Sequence, residues 1–385
     1  MFGGMEMKRI IWIMVLLCLL PVRSSAVELE IGGKSALLMD VATGTVLYEN
    51  NSHQQLAPAS VTKVMTMLLI MEAVDSGKIS MEDTVTASEA AAAKGGSQIF
   101  LKVGETMTVS DMLKSIAVSS ANDCACAMAE HIAGAESAFV EMMNSRAKEL
   151  GMQDTRFVNC TGLDDGPEAE NHRTSAHDIA IMSRELMKHH PDIKKFTTIW
   201  MDTVRNGTFG LSNTNKLIRF YPGATGLKTG FTSGAGYCLS ATAEREGLEL
   251  IAVVMGCTTS QERTAACKGM LDYGFANFAV VNPDLTEQNT AVPVKLGKEN
   301  SICAILGGDT GLLIDKAKKS SITTEVTLAD TVTAPVAKGQ NLGTMTIKAG
   351  DQVLAEVPLV AAEDVPRLTW GDLFVRVLRK AAMAK

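Results

Sequence analysis

The spacing of apolar positions changes several times along the chain. Residues 35–50, SALLMDVATGTVLYEN, form two β-rich runs around a Gly-containing turn, which predicts a hairpin. Residues 56–70, LAPASVTKVMTMLLI, begin small and polar and then become apolar on every side. That pattern predicts a buried helix starting near Ser60, with Pro58 suited to its entry. SQIFLKVGETMTVSDMLKSIAV holds a short extended piece and then a helix near Ser110, with Asp111 in its first turn. SANDCACAMAEHIAG predicts an Ala-rich helix ended by Gly134. ESAFVEMMNSRAKELGM predicts an amphipathic helix that buries Phe139, Met142 and Leu150, and residues 174–191 predict another, stopped by Pro191. TGLKTGFTS, GYCLSATAEREG and LELIAVVMGC then predict three successive strands, the last two joined at EREG, before a helix in QERTAACKGMLDYGFANF. Strands at both ends enclose a helical middle, so the expected fold class is α/β: an antiparallel sheet flanked by helices, with a helical subdomain. From about residue 284 the chain predicts only short β runs punctuated by Gly, Pro and Asp, hence a small all-β domain. Residues 365–385 return to helical spacing. Trp370, Leu373, Phe374, Val377, Leu378 and Ala381 share one side, and Asp372, Arg376, Arg379 and Lys380 share the other. A basic amphipathic helix of this kind is expected to lie on a membrane surface, against the alternative of a helix docked on the β domain.

Composition sharpens this picture. The 385 residues are 46% hydrophobic, enough for a sizeable core, and the formal charge of −7 gives no basic footprint for nucleic acid. Lys8 and Arg9 precede the apolar run IIWIMVLLCLL, and PVRSSA follows. A charged start, a short apolar stretch and small residues predict a secretory signal over residues 1–26, cleaved after Ala26. The run is too short for a comfortable membrane span, which needs ~20 residues. The expected division is therefore 1–26 signal, 27–283 main domain, 284–364 β-rich domain and 365–385 amphipathic helix. The protein is expected to be exported, to the outer face of the cytoplasmic membrane or the cell wall. Cys18 leaves with the signal; the other seven cysteines match no metal-site spacing and are read as buried small hydrophobes. His172, His177, His189 and His190 likewise lack metal-ligand spacing, so no metal is expected.

The candidate chemistry lies in three short motifs. Ser-x-x-Lys occurs twice, as Ser60–Lys63 and Ser145–Lys148. Positions three apart share a helix face, so either lysine can reach its serine. The second pair sits among Asn144, Arg146 and Glu149 on what reads as a solvated helix side. The first heads a helix expected to be buried, where a desolvated lysine gives up its proton and can act as a base. Ser120-Ala121-Asn122 is the only Ser-x-Asn in the chain, and Lys228-Thr229-Gly230 the only Lys-Thr-Gly. The three motifs in this order, at a helix start, a helical loop and a strand, are the signatures of penicillin-recognising serine acyl-transferases.

With NTNKL, KTGFTSGAGYCLSATA, GLDDG and VTAPVAKGQNLG beside these motifs, the chain resembles the D-alanyl-D-alanine carboxypeptidases. These are low-molecular-mass penicillin-binding proteins of the SxxK serine peptidase family, with a β-lactamase/transpeptidase-like domain, a C-terminal β domain and an amphipathic anchor. The resemblance runs from about residue 28 to the C-terminus. It implies removal of the terminal D-alanine from the peptidoglycan stem pentapeptide, with β-lactam antibiotics as inhibitors and no cofactor. Ser60 is then the nucleophile and Lys63 its base, kept neutral by burial and by the nearby Lys228. Ser120 relays a proton to the leaving amine. Asn122 binds the substrate backbone and steadies Lys63, and Lys228 and Thr229 hold the terminal carboxylate. Gly230 permits close approach, and the backbone N–H groups of Ser60 and Phe231 form the oxyanion hole. Phe231 replaces a histidine familiar at this place in the family, which bears on substrate preference and deacylation. Three alternatives share some of these residues. A β-lactamase would add a deacylating carboxylate such as Glu168 or Glu170, a D,D-transpeptidase would join peptides instead of cutting them, and a wall-binding module would not catalyse. The oligomeric state is not legible.

Overall fold

The computed structural model describes residues 31–383 except 167, 287, 309 and 310. The predicted signal segment and its cleavage point lie outside the described residues. Val46–Asn50, Ser35–Asp40, Leu248–Cys257, Gly236–Arg245 and Ala224–Thr232 lie side by side in that order as a five-stranded antiparallel sheet. The hairpin at residues 35–50 and the EREG turn both form as expected, the latter with Glu246 and Gly247 at positive φ. Leu250 to Met255 are buried without a break, because both faces of the sheet are covered. Ile251, Val253 and Met255 enter the main core; Leu38 and Leu250 pack on the opposite side against the helix Ser260–Asn277.

The helix Lys63–Asp75 runs through the centre of the helical part. Val64 to Met71 are all buried, which accounts for its apolar character on every side. Around it pack Val109–Ser119, Asn122–Ala133, Glu136–Glu149 and Ala176–His189. Thr108 and Ser175 cap two of these through their hydroxyls, and Gly134 ends another in the left-handed conformation. In Glu136–Glu149 the buried stripe is Phe139, Met143 and Ala147, at successive i+4 steps. Met142 and Leu150, expected inside, are only half-buried at its edge. The period was legible, but the rotation of the stripe was set by the neighbouring helices. Among the described residues six cysteines are buried as expected, whereas Cys303 is exposed on its strand of the β domain.

Phe278–Val281 leaves the last large helix and pairs with Leu312–Asp315. Beyond it a six-stranded sheet is built on its own core of Val292, Ile302, Leu342, Met345, Ile347 and Leu359. The C-terminal helix Trp370–Met383 opens on a reciprocal cap: Asp372 accepts from the Thr369 N–H and hydroxyl, and Thr369 accepts from the Asp372 N–H. Arg376 ties it to the β domain by donating to the Lys298 carbonyl at 2.7 Å. Trp370, Phe374, Val377 and Leu378 face solvent. Among the described residues no helix is long and apolar enough to cross a membrane.

Candidate active site

Ser60 does not begin the α-helix. It lies in a 3₁₀ turn, Ala59–Thr62, and regular α-helix starts at Lys63. Ala59 enters the turn at φ +48°, a left-handed conformation that costs a residue with a Cβ about 1–3 kcal/mol. The strain is held by packing. Gly162 presses so closely on this turn that a Cβ there would lie 1.8 Å from the Ala59 carbonyl oxygen. The turn leaves Ser60 half-buried and puts Lys63 fully inside, with Lys63 Nζ 3.0 Å from Ser60 Oγ and 2.7 Å from the Thr161 carbonyl. Burial lowers the Lys63 pKa from 10.5 to about 7. Cys160 and Asp123 oppose that fall, but hydrogen bonding to Cys126 and burial keep the Cys160 thiol protonated well above neutral pH, leaving Asp123 as the opposing charge.

The loop carrying Thr161 is shaped by its own sequence. The Asn159 side chain accepts from the N–H groups of Thr161 and Gly162 and donates to the Leu163 carbonyl, which turns the Thr161 carbonyl toward Lys63.

Ser120 ends the helix Val109–Ser119 at φ +63°, a second left-handed non-glycine residue. It is 3% exposed, yet among the described residues its hydroxyl has no hydrogen-bond partner, and neither does the Asn122 side-chain oxygen. An unpaired buried polar group costs about 1–3 kcal/mol, so two of them beside each other mark a place built to receive a ligand. Asn122 Nδ2 donates to the Gly95 carbonyl at 2.7 Å. The expected bond from Asn122 to Lys63 is not formed; the Thr161 carbonyl takes that place. Asp123, missed by the sequence reading, is buried and accepts from the Ile99 and Leu101 N–H groups, tying loop 97–101 to the Ser120 turn.

The edge strand Ala224–Thr232 closes the third side. A Cβ on Gly230 would lie 2.7 Å from the Pro58 carbonyl and 3.1 Å from the Ser60 nitrogen, so only glycine lets the strand lie against the Ser60 turn. Lys228 is buried and donates to the Thr229 carbonyl, and its pKa falls well below 10.5 through burial first, then the charges of Lys63 and Arg263. Burial is the first cause of the lowered pKa at both lysines, and a proton on either amine disfavours one on the other. Thr229 shares a hydrogen bond with Thr214, whose N–H donates to Val118 at the end of the Ser120 helix. These contacts bring the three motifs together. Arg263 was also missed; it donates to the Gly230 carbonyl from behind the strand, and its Nε is buried without a partner. A buried arginine inside a mixed helix pattern carries no local signal. Phe231 is half exposed and packs on Tyr237 at 4.2 Å. Glu168 and Glu170 are exposed, and the Glu168 carboxylate accepts from Asn171. Among the described residues no group of His, Cys, Asp or Glu is arranged to hold a metal.

A family model described as D-alanyl-D-alanine carboxypeptidase matches residues 22–259, and one described as penicillin-binding protein 5, C-terminal domain, matches residues 282–367. The D-alanyl-D-alanine carboxypeptidase DacF of Bacillus subtilis strain 168 is 48% identical over 345 residues, spanning 88% of this chain and 87% of that protein. The structure of penicillin-binding protein 5 from Haemophilus influenzae superposes with a TM-score of 0.71 at 32% identity, over 88% of this chain and 98% of that one. Penicillin-binding protein D2 from Listeria monocytogenes in its cefotaxime-bound form gives 0.59 at 31% identity, over 64% of this chain and 98% of that one. A strained serine turn, a buried lysine and a glycine strand against them thus sit on the framework of known relatives, and the chain belongs to the D-alanyl-D-alanine carboxypeptidase family of low-molecular-mass penicillin-binding proteins.

Proposed function

We propose that the protein is a serine-type D-Ala-D-Ala carboxypeptidase that works through an ester on Ser60. The observation that carries this reading is a lysine held near pKa 7 by burial, 3.0 Å from the serine hydroxyl it must deprotonate. Ser60 Oγ attacks the carbonyl of the penultimate D-alanine as Lys63 Nζ takes its proton. The N–H groups of Ser60 and Phe231 receive the oxyanion, each such donor being worth roughly 3–4 kcal/mol. The unpartnered Ser120 hydroxyl passes a proton to the departing amine and regains one from Lys63, and D-alanine leaves. Water, deprotonated by the again neutral Lys63, hydrolyses the ester and returns Ser60. The substrate strand lies along residues 225–232 in the manner of an added β-strand, with Asn122 on its other side. Its terminal carboxylate meets Thr229 and Lys228, where a negative charge restores the proton that burial disfavours. β-Lactams acylate the same oxygen.

The proposed division is 27–283 for the peptidase, 284–364 for the β domain and 365–385 for a helix that lies on the membrane. The exposed Trp370, Phe374, Val377 and Leu378 support membrane attachment of an exported enzyme whose residues 1–26 are its signal. Incubation with a peptide ending in D-Ala-D-Ala tests the activity: free D-alanine and a penicillin adduct on Ser60 are expected, and a folded protein giving neither refutes it. Deleting residues 366–385 should release the protein from membranes without loss of D-alanine release, and retention on membranes refutes the anchor.

A further inference from the structure

His172 lies outside the three motifs and falls in a stretch whose histidines read as bland, yet it sits directly beneath the nucleophile. It is 3% exposed, and its ring meets the edge of Phe157 at 5.7 Å. The Thr62 hydroxyl donates its one proton to the Ala59 carbonyl at 2.8 Å, so it must accept from its other neighbour, His172 Nε2, also at 2.8 Å. The Nε2 nitrogen therefore carries the proton and Nδ1 is bare, which suits the Val158 N–H that donates to it at 3.1 Å. Both ends of the ring demand the same neutral tautomer. Burial and the charges of Arg173 and Lys63 hold His172 neutral, with a pKa lowered to about 4.

The two ends of this ring reach different parts of the machinery. Nε2 supports the hydroxyl that locks the left-handed Ala59 peptide, and that peptide fixes the direction of the Ser60 N–H. Nδ1 holds Val158, at the start of the loop whose Thr161 carbonyl accepts from Lys63 Nζ. We infer that His172 is a positioning residue for acylation, a single neutral imidazole that sets the nucleophile turn and the acceptor of the general base relative to one another. The inference rests on the reading of Ser60 and Lys63 given above and adds to it a residue that touches neither substrate nor reacting atoms.

Two substitutions separate the arms. In His172→Gln the side-chain amide nitrogen can occupy the Nε2 position and still donate to Thr62. In His172→Asn the side-chain oxygen can occupy the Nδ1 position and still accept from Val158, but nothing reaches Thr62. The measurement is the second-order rate of acylation by a fluorescent penicillin across pH 5–9, with the thermal midpoint of each variant alongside. His172→Asn is expected to acylate about 10- to 100-fold more slowly than wild type through the loosened Ser60 turn, and His172→Gln to lose about 3- to 10-fold with its acid limb displaced, because it frees the loop that holds the Lys63 acceptor. Thr62→Val should reproduce the His172→Asn loss. The pair combined should lose little more than either alone, because both cut one connection. Wild-type rates in His172→Asn, full additivity with Thr62→Val, or equal losses in the Asn and Gln variants that follow only their thermal midpoints would overturn the inference. Should His172→Asn not fold, Thr62→Val against His172→Gln decides by the same criterion. Absence of acylation in the wild type would instead count against the reading of Ser60 itself.

Discussion

The same spacing of serine and lysine occurs twice in this molecule with opposite results. Ser145 and Lys148 lie within the regular helix Glu136–Glu149, and both are exposed. Ser60 and Lys63 straddle a change from 3₁₀ to α-helix, the lysine is wholly buried, and its nitrogen rests on the serine oxygen. Spacing supplies reach and nothing more. Removal from water lowers the Lys63 pKa to about 7, and the buried Thr161 carbonyl holds its nitrogen beside Ser60. The fold sets the two pairs apart by what it packs around each.

The largest test of this contrast is to remove each pair in turn. Ser60→Ala should abolish the penicillin adduct, and Lys63→Met should slow acylation by about 10³-fold or more, since among the described residues no other amine hydrogen-bonds Ser60 Oγ. Mass spectrometry of the intact protein after exposure to a β-lactam reads both. A stable adduct on the Ser60→Ala protein would move the nucleophile elsewhere.

Much of this architecture was legible beforehand, for reasons that differ by element. The hairpin at 35–50, the three strands after residue 224 and the wholly apolar helix after Lys63 carry periods that packing had no reason to override. The motifs at Ser60, Ser120 and Lys228 stand out because each is a distinctive run of residue types, and the fold gathers their segments. What stayed hidden depends on contacts between distant segments. Arg263, Asp123 and His172 are ordinary polar residues in their local stretches. Their importance comes from reaching Gly230, the loop 97–101 and Thr62 across the fold. Likewise the 3₁₀ turn at Ser60 reflects Gly162, about a hundred residues downstream, and nothing in LAPASVTK itself.

A smaller effect sharpens the role of burial. With Lys63 near pKa 7, kcat/KM should fall about tenfold per pH unit below that value, because protonation removes the base of the free enzyme. Lys63 also couples stability to pH. Its folded pKa lies below its unfolded 10.5, so the unfolded chain binds the proton more tightly between about 7 and 10.5. The contribution of Lys63 is fully present above 10.5 and is lost as pH falls to about 7, a change of about 5 kcal/mol for this fully buried group. Denaturant midpoints of wild type minus those of Lys63→Met should rise with pH across that window. A flat difference would mean that the amine is not desolvated.

The smallest expected effect is the most discriminating for the comparison itself. Ser145→Ala and Lys148→Met change the same residue types at the same spacing, and neither side chain is removed from water on folding. Lys148→Met exchanges a solvated charge for a flexible apolar chain of similar helix propensity, so stability should move by no more than about 0.5 kcal/mol. Acylation rate and its acid limb should coincide with wild type within error, because the exposed stretch of Glu136–Glu149 lies on the side of the helix away from Phe139 and Met143, which carry its contact with the core. A shift in the acid limb on removing Lys148 would show that a charge outside the buried site helps set the base, and the distinction drawn between the two pairs would then be one of degree.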